Sequence, residues 1–73
     1  MPKGKELLRF LRKLGYEEIR LKGSHRILTH PFRPMLSVPI HSGDIPRGLF
    51  LRILKDAGSS EEDFYGVHKK GQE

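Results

Sequence analysis

Nine residues, Lys22 to His30, read K-G-S-H-R-I-L-T-H and crowd two imidazoles, two hydroxyls and two cations into one short run. Imidazole titrates near neutral pH, so each histidine has the chemistry of a general acid or base, or of a metal ligand. Lys22 and Arg26 bracket His25 with positive charge, and the small Gly23-Ser24 pair lets a phosphate approach the backbone closely.

Three chemistries compete for these residues. Zinc needs three or four ligands converging at about 2 Å. His25, His30 and His41 are separated by x4 and x10, which matches no compact ligand motif, and on a regular strand residues 25 and 30 face opposite sides. No metal and no other cofactor is expected. Serine hydrolysis fares worse: Ser24 and His25 are strand neighbours facing apart, and no G-x-S-x-G elbow is present. RNA cleavage asks for less, because RNA carries its own nucleophile, the 2′-hydroxyl. The protein adds a base for that proton, an acid for the leaving 5′-oxygen and cations for the crowded phosphate. Against it stands the plainer reading of a strand histidine as a packing residue.

The chain has 73 residues, enough for one small domain that buries about 60% of its unfolded surface. It has no cysteine, which excludes disulfides, thiolate zinc sites and a thiol nucleophile. The start, M-P-K-G-K-E, has no apolar run behind its charges, so no signal peptide is expected. No stretch approaches the roughly 20 apolar residues of a membrane span. The expectation is a soluble, cytoplasmic protein without membrane contact. The net charge of +5 is lopsided: residues 1–33 hold nine Lys/Arg against three Glu, and residues 34–73 hold five against six Asp/Glu. A basic first half suits a polyanionic partner, although such a surface is often simply solvated.

The elements that must position these groups follow from periodicity. Lys3 to Leu14 predicts a helix, with apolar residues at 7, 8, 10, 11 and 14 on one face, Pro2 at its entrance and Gly15 past its end. Lys5, Arg9 and Arg12 form a cationic row on the other face. Tyr16 to Lys22 and Ser24 to His30 predict strands broken at Gly23, with Ile27-Leu28 leaving the inward face of the second ambiguous. Pro31 to Pro34 is a turn, and Met35 to Ile40 is a third strand with Leu36, Val38 and Ile40 on one face. Pro39, lacking a backbone donor, places that strand at an edge or brings it to an end there. Asp44 reads as the N-cap of a helix whose apolar face is Ile45, Leu49, Phe50, Ile53, Leu54 and Ala57, ending at Gly58, with Leu51 off that face. Ser59 and Glu62 fit a capping box for a short last turn that docks Phe64 on the core. Residues 66–73, with His68, read as a polar, disordered tail behind a single domain at 1–65. The sum is an α+β fold of two layers: helix, three-stranded antiparallel sheet, helix and a short C-terminal helical turn, with both helices on one face of the sheet.

K-G-S-H-R-I-L-T-H-P at 22–31, V-P-I-H-S-G at 38–43 and I-L-K-D-A-G-S-S-E-E-D-F at 53–64 together resemble the HicA-type (YcfA-like) toxins of prokaryotic toxin–antitoxin pairs. The likeness runs in order from about Lys5 to Phe64. It implies a fold like the double-stranded RNA-binding domain, which is the order of elements read above. It further implies a metal-independent messenger-RNA endonuclease, an mRNA interferase, whose catalytic histidine is His25 and whose partner is a HicB-type antitoxin that blocks the site. On that reading Lys22 and Arg26 position phosphate, Gly23 and Ser24 open space and offer a hydrogen bond, and Arg33 assists from its loop. Parity sets Arg26 against His25 if the strand is regular. The alternatives are a non-catalytic RNA-binding module of the double-stranded type, which needs no catalytic histidine, and an inert adaptor domain.

Overall fold

The computed structural model describes residues 2–40 and 43–66. Its elements are α1 (Gly4–Lys13), β1 (Glu17–Lys22), β2 (His25–Thr29), β3 (Leu36–Pro39), α2 (Arg47–Asp56) and α3 (Glu61–Tyr65). The strands form one antiparallel meander in the order β1-β2-β3, so β3 with its Pro39 is an edge strand, as the missing N–H requires. The expected tail from residue 67 onward lies outside the described residues, as does His41.

The core forms between the helices and one sheet face. Leu7, Leu8 and Leu11 of α1 and Phe50, Ile53 and Leu54 of α2 are buried with Leu28, Leu36 and Val38 of the sheet. Fully burying such a side chain stabilises by about 1.5–3 kcal/mol. Leu28, at 0% exposure, resolves the ambiguity of the Ile27-Leu28 pair. Phe64 docks edge-on between Phe10 and Phe50, with ring centroids 5.2 and 5.0 Å away, and closes the core at α3.

Four local expectations are corrected. Asp44 is not the cap of α2; Pro46 holds that position, because the Asp44 carboxylate is taken by Lys3 Nζ at 3.0 Å and its backbone forms an antiparallel bridge with Lys3. That pairing stitches the chain start to the segment after β3, with Ile45 N–H donating to the Pro2 carbonyl at 3.1 Å. Gly4 belongs to the same seam: a Cβ there would stand 2.6 Å from the Pro39 carbonyl oxygen, so only glycine lets α1 start against the end of β3. The cap of α3 is Ser60, whose hydroxyl accepts from Asp63 N–H, while Ser59 bonds the Asp63 carboxylate. Leu51 is half-buried and packs on the core cluster. Lastly, the alternation expected along β1 is broken by a bulge between Glu18 and Arg20. Glu18 therefore pairs with Leu28 on the helix side, and Ile19 and Leu21 are left 51% and 55% exposed.

Glu18 uses that position. Its carboxylate accepts from Arg26 of β2 and from Arg12 of α1, the latter at 2.9 Å, and so ties α1 to both strands. The Arg26 hydrogen bond, with help from Arg12, holds its carboxyl below the ordinary glutamate value of about 4.5. The folded state then binds a proton less readily than the unfolded chain, so stability rises with pH through this range and is lost as pH falls below about 4.5. In acid titrations followed by circular dichroism, Glu18→Gln is expected to flatten that loss; an unchanged acid limb would show the triad to be inconsequential.

His30 is the second tertiary clasp. Its Nε2 lies 3.0 Å from the Leu14 carbonyl, and its Nδ1 accepts from Phe32 N–H at 3.0 Å. The second bond makes Nδ1 the acceptor and assigns the proton to Nε2. The ring also packs 4.9 Å from Tyr16, whose hydroxyl donates to the Pro34 carbonyl at 2.8 Å and whose phenol is pushed up by burial. His30 thus joins the end of α1 to the β2–β3 turn. His30→Ala is expected to lower stability by about 1–3 kcal/mol in urea denaturation, and a change under about 0.5 kcal/mol would remove it from this role.

Candidate functional site

Lys22 and His25 flank a two-residue hairpin, Gly23-Ser24, and are paired directly across it. Gly23 has φ 61 and no non-glycine residue among those described has a positive φ, the pattern of a type II′ turn, whose first central position demands glycine. Direct pairing puts the Lys22 and His25 side chains on one face, with Cβ atoms about 5 Å apart. A Cβ at Gly23 would meet nothing within 4 Å, so the turn stands open on its outer side. Ser24 is exposed, and its carbonyl accepts from Ile40 N–H at 2.9 Å, which pins the hairpin to the end of β3.

Leu28 points into the core, so the residues out of phase with it, His25, Ile27 and Thr29, point to the face opposite the described helices. His25 is exposed there and has no hydrogen-bond partner among the described residues. Register adds a cation that the sequence reading passed over. Arg20 pairs with Ile27 on this same face, two residues before Lys22, and is exposed. Period two from Lys22 was the available signal; the bulge at Ile19 does not disturb it, because it lies on the other side of Arg20. Ile27, only 9% exposed, is flanked on that face by Arg20 and Ser37. The open face therefore carries His25 at its hairpin end, with Lys22 beside it and Arg20 one step along.

The other sequence candidates are not brought to His25. Arg26 is in phase with Leu28 on the helix side, where its guanidinium is bonded to Glu18. Arg33 follows the far end of β2, which is about 13 Å long from His25 to Thr29, and its guanidinium lies over Gly58 at the end of α2. His30 is occupied by Leu14 and Phe32. Among the described residues no three imidazole or carboxylate groups converge as a metal site.

Residues 4–59, three-quarters of the chain, match the model of a family described as the HicA toxin of bacterial toxin–antitoxin systems. The chain belongs to the HicA toxin family. No curated protein matches it. Membership makes this a toxin of a toxin–antitoxin pair and implies an antitoxin partner. Among the described residues, no helix is long and apolar enough to cross a membrane. Within this HicA-family fold the Gly23-Ser24-His25 run forms the hairpin mouth, and the matched region holds the entire sheet and α2.

An exposed side chain with no partner contributes little to the fold. His25→Ala is expected to change stability by about 0.5 kcal/mol or less in thermal or urea unfolding. A loss of several kcal/mol would make His25 a structural residue and remove it from the site.

Proposed function

We propose that the protein is a metal-independent endoribonuclease, an mRNA interferase, with His25 as its catalytic residue. The observation that carries this reading is the exposed, directly paired Lys22 and His25 at the mouth of a glycine turn, on the sheet face opposite the described helices. Membership of the HicA toxin family supports it. In the proposed reaction the RNA 2′-oxygen attacks phosphorus and the bond to the 5′-oxygen breaks. The 2′-hydroxyl proton leaves to a base, the 5′-oxygen takes a proton from an acid, and a 2′,3′-cyclic phosphate and a 5′-hydroxyl result. His25 serves one of these transfers. Lys22 and Arg20 balance the charge that builds on the phosphorane oxygens. Gly23 and Ser24 bring backbone and hydroxyl donors close to the phosphate. Arg26 and Arg33 lie away from His25 and from the scissile bond it would serve. Messenger RNA in the cytoplasm is the substrate, and a HicB-type antitoxin neutralises the toxin by covering this open face.

The test is incubation of purified protein with end-labelled single-stranded RNA in EDTA. Wild type is expected to cut the RNA, His25→Ala to leave it intact, and Lys22→Ala and Arg20→Ala each to slow cleavage by about 10²-fold, as for loss of one electrostatic contact. Binding without cleavage by both wild type and His25→Ala would replace this reading with the non-catalytic RNA-binding module.

A further inference from the structure

A second candidate site lies across the molecule, on the helix layer. A cleft of about 320 Å³ opens between α1 and α3, lined by Glu6, Arg9, Phe10, Lys13, Phe64 and Tyr65. Its charge is cationic in effect. Glu6 turns its carboxylate back to the Lys3 N–H at 3.0 Å, at the helix start. Arg9 and Lys13 have no ion-pair partner among the described residues and are exposed. Its floor is aromatic and fixed. Tyr65 stands at 86° to Phe64, centroid to centroid 4.9 Å, and also touches Phe50 at 6.2 Å. Phe64 is itself wedged between Phe10 and Phe50. Yet Tyr65 remains 53% exposed. An aromatic ring held from behind, open in front and flanked by unpaired cations is the arrangement that stacks an unpaired base while the cations hold its phosphates. Arg9 continues this charge into a neighbouring cleft with Lys5, Arg12 and Arg26, where the single Glu18 carboxylate bridges the two arginines other than Arg9 and offsets one of their charges. A cationic surface thus runs along α1 through both clefts, and Tyr65 is the exposed ring beside it.

We infer that the Arg9–Lys13–Tyr65 cleft is a second binding site for single-stranded RNA, which stacks a base on Tyr65 and holds the strand on the face opposite His25. The inference rests on RNA being the ligand of this protein, and it assigns that ligand a place outside the cleavage site. Such a site raises affinity for messages without adding sequence preference, since every base has a π-face.

The test uses the full chain carrying His25→Ala, so that RNA stays whole. Binding of a short fluorescein-labelled single-stranded oligouridylate is followed by anisotropy across a salt series. Adding Tyr65→Ala is expected to weaken binding at least about fivefold, the low end for losing one stacked base, while Tyr65→Phe keeps it. Adding Arg9→Ala is expected to lower the log–log salt slope by about 0.7, one phosphate contact on a single strand. Arg9 makes no ion pair among the described residues, so that variant keeps the test decisive even where Tyr65→Ala disturbs α3. Unchanged affinity in Tyr65→Ala together with an unchanged slope in Arg9→Ala overturns the cleft while RNA cleavage at His25 stands. Failure of the His25→Ala protein to bind the oligonucleotide at any salt overturns both.

Discussion

Burial of Leu28, Leu36 and Val38 beneath the two helices is the interaction on which the rest of the molecule depends. Side chains alternate across a strand, so once these three point inward every other sheet residue has its side assigned. His25 is sent to the open face and Arg26 to the helix side. A one-residue slip of β2 would reverse both and turn the imidazole away from the open face. The core thus sets the chemistry of a site with which it shares no residue.

The same constraint divides the charges. The bulge at Ile19 turns Glu18 toward the helices, where it meets Arg12 and Arg26. Those two arginines serve cohesion, joining α1 to the sheet through a shared carboxylate. Lys22 and Arg20, beyond the bulge, stay on the outer face without such a partner among the described residues. The histidines divide in the same way: His30 uses both ring nitrogens to fasten the end of α1 to the β2–β3 turn, and His25 uses neither within the described chain. A proton-transfer group mounted on a two-residue hairpin, anchored through Ser24 to β3, is exposed yet held by regular backbone, as precise positioning favours.

Much of this was legible in the residues. Helical periodicity located α1 and α2 and their buried faces, Gly23 located the hairpin, and Pro39 located the sheet edge. Errors came where a side chain had two possible partners. Asp44 has the chemistry of an N-cap, but Lys3, forty-one positions away, is the stronger claim on its carboxylate. Ser59 and Ser60 are both competent caps, and only the geometry of the turn after Gly58 selects Ser60. The alternation of Ile19, Arg20, Leu21 and Lys22 conceals the bulge entirely, because an extra residue in a strand leaves no mark on the types around it.

By itself the sequence determined the α+β order of elements, the basic first half, the absence of cysteine chemistry and the candidacy of His25, since local periodicity and residue type are properties of neighbours along the chain. The tertiary structure decided which candidates share a surface. Register across β1 and β2 brought Arg20 to the side of Lys22 and His25, packing against Leu28 removed Arg26 from it, and the reach to Leu14 and Phe32 made His30 a clasp. Those outcomes depend on contacts between residues far apart in the chain, whose pairing is settled only when the apolar faces close on one another.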